Sequence, residues 1–155
     1  MSIDAGQLRD YVIVPALTEI DMCSDAAVNL VFGTAATESD MGRYLHQKGG
    51  GPALGIYQME PATHDDIWRN YLCYKPKLAQ KVREFHNDRY QSRDLIGNLW
   101  YATIMCRIHY YRSPMMLPDA QDLDSLAKMW KKVYNTELGK GKAEDFIEKY
   151  NKYVR

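Results

Sequence analysis

Apolar positions recur at helical spacing in one segment after another along the chain. The densest pattern is Ala27, Val28, Val31, Phe32 and Ala35, with Leu30 and Ala36 widening the stripe until it covers nearly the whole circumference. A helix apolar on all sides belongs in the centre of a fold. Ser24 is a good N-cap for it, Asp25 suits its first turn, and Glu38 and Ser39 close it. A second strongly apolar helix is expected from Ser92 or Asp94 to about Arg112, carrying Leu95, Ile96, Leu99, Trp100, Thr103, Ile104, Ile108 and Tyr111. It should pack against the first.

Shorter amphipathic segments surround these two. Residues 4 to 20 predict a helix with Leu8, Tyr11, Val12 and Ala16 on its apolar face and Pro15 kinking or ending it. Pro61 suits the first position of a helix over roughly 61 to 72, with Ile67, Trp68, Tyr71 and Leu72 inward. Residues 77 to 87 predict another, with Leu78, Val82 and Phe85 inward. Asp122 caps a helix bearing Leu123, Leu126, Trp130 and Val133, and Phe146, Ile147, Tyr150, Tyr153 and Val154 share one face of the last.

Between the two apolar helices lies a different stretch. Gly42, Gly49, Gly50 and Gly51 give the backbone freedom to bend and to approach a ligand, and Ala53 to Met59 is a short strand or extended turn. The expected architecture is mainly α, one domain over residues 1–155, with a small loop or hairpin region around residues 40–60. No repeat, linker or low-complexity run divides it.

The 155 residues are enough for one domain with a substantial core. Twenty basic and twenty acidic residues cancel, so no overall field points to nucleic acid. Cys23, Cys73 and Cys106 are odd in number and widely spaced, which favours buried free thiols over a disulfide framework or metal knuckle. His46, His64, His86 and His109 form no ligand motif, so no metal or other cofactor is expected. No signal peptide and no membrane-spanning stretch is visible.

The candidate chemistry lies at the end of the first apolar helix. Glu38 by itself reads as a solvated acid at a helix terminus, although a carboxylate there opposes the helix dipole. Ser39 lacks the Gly-x-Ser-x-Gly setting of a serine hydrolase, and the triple glycine lacks the Gly-Lys-Ser/Thr ending of a phosphate loop. A lone acid delivered into a concave site and faced by polar side chains suits cleavage of a glycosidic bond.

Three segments together carry a family likeness. Glu38-Ser39, Gly55-Ile56-Tyr57-Gln58 and Tyr134-Asn135 resemble the Glu-Ser, Gly-Leu-Met-Gln and Tyr-Asn motifs of lysozyme-like lytic transglycosylases, in the same order. The likeness covers roughly residues 25 to 153 and is similar to phage-encoded members. Tyr57 stands where the family usually has methionine, and Thr136-Glu137-Leu138-Gly139 replaces its usual small residue and glycine.

The resemblance implies a lysozyme-like fold and cleavage of peptidoglycan glycan strands between N-acetylmuramic acid and N-acetylglucosamine. Glu38 would be the sole catalytic acid and base. Ser39, Gly55, Tyr57, Gln58, Tyr134 and Asn135 would contact the substrate or its supporting backbone, with Tyr134 fixing Glu38 or simply packing. Asp40, Glu60, Asp65 and Asp66 are the competing second carboxylates that a hydrolytic muramidase would need. A virion module that kept the fold without activity is the non-enzymatic alternative. Delivery to the wall would fall to a phage lysis pore or to the virion, with virion or lysis proteins as partners, no stable membrane insertion and synthesis in the host cytoplasm.

Overall fold

The chain, described over residues 1–155 by a computed structural model, is a sequence of nine α-helical segments with no extended sheet. α1 (Ala5–Leu8) runs through a π-helical turn, Arg9–Ile13, straight into α2 (Val14–Glu19). Pro15 therefore does not end the helix. It has no N–H for the carbonyl of Tyr11, and the indole N–H of Trp100 donates to that carbonyl instead, at 3.1 Å. The wider turn also rotates the apolar face. Ile13 and Leu17 point inward with Leu8 and Ala16, whereas Tyr11, expected on that face, is 67% exposed.

α3 (Asp25–Ser39) is the central helix. The Ser24 hydroxyl accepts from the Ala27 amide at 3.1 Å, and Asp40 closes the helix in the left-handed conformation at φ 50°. Its residues from Ala27 to Ala36 are buried apart from Asn29. Each of the larger apolar side chains contributes about 1.5–3 kcal/mol on burial.

α4 (Pro61–Asn70) and α5 (Pro76–Arg83) each begin on a proline, which loses nothing by lacking an N–H at that place. α6 (Asp94–Gly97) is a single turn, and α7 (Leu99–Tyr111) follows after a break at Asn98. The expected continuous helix from residue 94 is thus two. Its effective cap is Asn98, whose side-chain oxygen accepts from the Tyr101 amide at 3.0 Å. Asp94 instead turns inward and accepts from His86 Nδ1 and the Asn87 amide, both at 2.9 Å.

α8 (Leu123–Met129) is capped by Asp122 and runs into a second π-helical turn, Trp130–Asn135. α9 (Ala143–Tyr153) closes the chain and is the most extensive neighbour of α3. Gly33 permits that approach, because a Cβ at this position would lie 2.0 Å from the Phe146 ring. α7 and α8 also contact α3, and the Thr34 and Tyr110 hydroxyls meet at 2.7 Å in the core between α3 and α7.

One cluster of 35 buried apolar residues unites these helices, so the chain has one core. The region around 40–60 forms no strand beyond isolated antiparallel bridges, His46 to Leu54 and Leu54 to Met59, with one 3-10 turn at Lys48–Gly50. Of the three thiols, Cys106 is buried as expected, but Cys23 and Cys73 are exposed. They fall in the turn before α3 and the turn after α4, where too little chain lies above them to cover a side chain.

Candidate active site

A cavity of about 950 Å³ opens where the end of α3 meets the 40–60 region, α7 and the segment after α8. Glu38 and Asp40 enter it from α3. Tyr44, Gln47, Lys48 and Ala53 form one wall, and Gln58, Met59, Glu60 and Thr63 another. His109 comes from the last turn of α7, and residues 133 to 136 and 138 to 141 complete the enclosure. The volume lies at the upper end of the range for ligand pockets and far exceeds what a single ion needs.

Glu38 is the one carboxyl in this cavity that burial controls. Desolvation pushes its pKa from 4.5 up to about 7, against a hydrogen bond from Trp130 that favours the charged form. The Trp130 indole N–H donates to Oε2 at 2.9 Å. A carboxyl poised near neutrality can both give and take a proton, which is the property a general acid and base requires.

The surrounding motif residues divide into those that reach the cavity and those that build it. Ser39 is 1% exposed and lies outside the lining. Its hydroxyl bonds the Ile56 carbonyl and accepts from the Gly42 amide at 2.8 Å, latching the end of α3 to the following turn. Gly55 is also behind the wall. It has φ +80°, and a Cβ there would meet the Leu95 carbonyl oxygen at 2.2 Å, so glycine is required by backbone approach to another segment of the chain. Tyr57 is 2% exposed, with its hydroxyl 2.7 Å from the Thr103 hydroxyl, and no face remains for stacking on a sugar. Of the two roles expected of these residues, Ser39 and Gly55 therefore take the support of the backbone, Tyr57 is packed in the core, and none of the three lines the cavity.

Gln58 does line the cavity. It sits at φ 50°, held by its own side-chain amide, which donates to the Gly55 carbonyl at 2.9 Å. Its side-chain oxygen makes no hydrogen bond within the chain and remains an acceptor for a ligand. Tyr134 and Asn135 also line the cavity. Tyr134 donates to the Tyr57 carbonyl at 2.7 Å, so it braces the Gly-Ile-Tyr-Gln turn, while the Glu38 partner is Trp130. The Asn135 side-chain oxygen accepts from Lys131 Nζ at 2.7 Å, and that ammonium also bonds the carbonyls of Thr136 and Gly139. Lys131 thereby fixes the loop that forms one lip.

Trp130 and His109 are functional candidates that the sequence pattern hid. Trp130 fits an amphipathic stripe and reads as core; that its indole N–H faces Glu38, 92 positions earlier, is visible only in the folded chain. His109 sits in a helix of apolar residues with no motif around it.

The four competing carboxylates separate cleanly. Asp40 lines the cavity but is paired with Lys149; burial alone would raise its carboxyl, and that hydrogen bond and charge hold it below its usual value. Glu60 lines the cavity, is exposed, and has no cationic partner within 4 Å. Asp66 is bound to Arg112 at 2.7 Å and Asp65 to His64 at 2.9 Å, and neither reaches the cavity. No three His, Cys, Asp or Glu side chains are placed to hold a metal ion together. No family model matches the sequence, and no curated protein and no solved structure is detectably similar to the chain.

Proposed function

We propose that the chain is a lysozyme-like peptidoglycan lytic transglycosylase with Glu38 as its acid and base. The observation that carries this reading is a desolvated carboxyl, raised to about 7, on the wall of a cavity large enough for a glycan strand. The order of the Glu-Ser, Gly-Ile-Tyr-Gln and Tyr-Asn segments supports the same reading.

The protonated Glu38 gives its proton to the bridging oxygen as the bond from that oxygen to the muramoyl anomeric carbon breaks. The substrate's own acetamido oxygen stabilises the positive charge developing on the sugar, so no second carboxylate is needed. Glu38, now ionised, takes the proton of the muramoyl 6-hydroxyl as that oxygen bonds to the anomeric carbon. The products are a 1,6-anhydro sugar and a free 4-hydroxyl; Glu38 is again protonated and no water is consumed. Trp130 stabilises the ionised form between the two steps.

Hydrolysis is the second reading, and Glu60 is the observation that favours it. It is a carboxylate without an ion-pair partner on the same cavity, available to activate a water. Mass spectrometry of muropeptides released from purified peptidoglycan separates the two. Anhydromuramoyl ends made by the wild type and lost in Glu38→Gln establish the transglycosylase. Reducing ends, heavier by one water, establish the muramidase and make Glu60→Gln the next variant. A folded wild type that releases nothing refutes both and leaves a binding or structural module.

A further inference from the structure

Nδ1 of His109 is the one buried side-chain nitrogen or oxygen atom in the molecule without a hydrogen-bond partner. An orphan of this kind calls for an explanation, because buried polar groups are almost always paired. His109 projects from the last turn of α7 into the candidate cavity, with its ring edge-on to Tyr134 at 5.2 Å between centroids. Nε2 also bonds to nothing in the chain but, unlike Nδ1, it is not fully buried, and His109 is one of the residues lining the cavity.

The two nitrogens are therefore unequal. A neutral imidazole carries one N–H and one lone pair. An N–H buried without an acceptor is costlier than an under-used lone pair. The proton accordingly belongs on Nε2, where the open cavity supplies an acceptor. The ring stays uncharged down to low pH: burial and the neighbouring Arg112 lower its pKa to about 4, and Asp66, tied to Arg112, only partly opposes them. Glu38 and Tyr134, which share the cavity with it, are both uncharged at mildly acidic pH. A neutral donor in a partly dry wall matches a strong neutral acceptor, and an amide carbonyl is the strongest that an N-acetylated glycan offers.

We infer that His109 is a ligand-binding residue whose Nε2–H donates to an acetamido carbonyl oxygen of the bound glycan, selecting N-acetylated strands over de-N-acetylated ones. The inference rests on the glycan reading of the cavity.

The test has two independent readouts. Long-range ¹H–¹⁵N spectra of the free protein at pH 6 should show His109 in the Nε2–H form; an Nδ1–H form overturns the inference whatever the protein binds. Binding is then measured in the Glu38→Gln background with the N-acetylglucosamine tetramer and its de-N-acetylated counterpart. His109→Phe should weaken the acetylated tetramer about tenfold and leave the other unchanged. His109→Gln, whose amide nitrogen falls near the place of Nε2, should restore most of the loss, which a folding defect would not. Equal binding of the acetylated tetramer by His109→Phe and its parent overturns the inference and leaves the glycan reading standing. No binding of either tetramer by the folded parent overturns both.

Discussion

The Trp130 indole nitrogen lies 2.9 Å from Oε2 of Glu38 and joins the end of α3 to the π-helical turn after α8. The contact spans 92 positions of the chain and sets two properties of the carboxyl at once. It fixes where the acid points, and it partly offsets the desolvation that raises its pKa to about 7.

Trp130→Phe keeps most of the packing and removes the donor. The carboxyl then loses the interaction that favours its charged form, so its pKa rises further. In the proposed reaction the alkaline limb of the pH–rate profile, set by loss of the Glu38 proton, should move to higher pH. The maximal rate should fall about tenfold, because the ionised intermediate state loses its hydrogen bond. An unshifted alkaline limb in a folded Trp130→Phe protein would show that this contact does not govern the acid.

Glu38 and His109 tilt stability in opposite directions with pH. The folded pKa of Glu38 is raised from 4.5 to about 7. Below pH 4.5 both states are protonated; as pH rises towards 7 the unfolded chain releases its proton first, and stability is lost. The loss is complete above pH 7 and amounts to about 3 kcal/mol. Glu38→Gln should remove it. At pH 8 that variant should be about 1–3 kcal/mol more stable than the wild type in urea unfolding, while its cleavage falls at least about 100-fold.

His109 works from the other side, because its folded pKa is lowered from 6.5 to about 4. Above pH 6.5 both states are neutral; as pH falls the unfolded chain binds a proton that the folded one refuses, and stability is lost towards pH 4. His109→Phe should cancel that acid-side loss, again about 1–3 kcal/mol at pH 4. The two contributions cancel each other between pH 4.5 and 6.5, so relative to the wild-type profile Glu38→Gln should tilt upward with pH and His109→Phe downward, each by about 1.4 kcal/mol per pH unit. Parallel profiles for the three proteins would refute the assignment of these two groups.

The helices were legible because burial leaves a period in the sequence, but the main partner of α3 was not: the expected neighbour was the second apolar helix, and α9 packs on it more extensively. Val28 to Ala36 declared a central helix, and Ser24 and Asp122 declared their caps. The π-helical turns were not legible, because one wider turn leaves composition unchanged while rotating every later side chain, as Tyr11 and Ile13 show. Asn98 was hidden for a related reason: a break inside an apolar run is visible only as one polar residue after a glycine. In the site, the motifs pointed to Glu38, Gln58, Tyr134 and Asn135, which line one cavity. They did not distinguish a residue that touches the cavity from one that shapes it, because Ser39 and Tyr57 spend their hydroxyls on Ile56 and Thr103. Trp130 reaches Glu38 across a separation that no local pattern encodes.

Thiol exposure provides a check independent of any activity. Cys23 and Cys73 are exposed, whereas Cys106 is buried and its thiol is pushed up by desolvation. Native protein should react with two equivalents of a thiol reagent within minutes and with a third only after denaturant is added. Peptide mapping should place the slow thiol at Cys106. Rapid loss of all three would mean that α7 is not packed as described.

Gly55 tests whether the turn bearing Gln58 is built by backbone contact. A methyl group there meets two independent obstacles. The φ of +80° is unfavourable for any residue with a Cβ, and the methyl carbon would sit 2.2 Å from the Leu95 carbonyl oxygen. That oxygen belongs to the backbone of α6 and has no side-chain freedom with which to retreat. Gly55→Ala should therefore cost about 2–5 kcal/mol, seen as a lowered Tm. The damage should also spread to the cavity, because the Gly55 carbonyl accepts from both the backbone amide and the side chain of Gln58, at 3.0 and 2.9 Å. Gly49→Ala is the control. That glycine has a similar φ of +80°, but nothing lies within 4 Å of a Cβ built on it. Its cost should be the backbone strain alone, about 1–2 kcal/mol. Equal losses in the two variants would mean that Leu95 gives way and that the turn is held by local conformation, not by contact with α6.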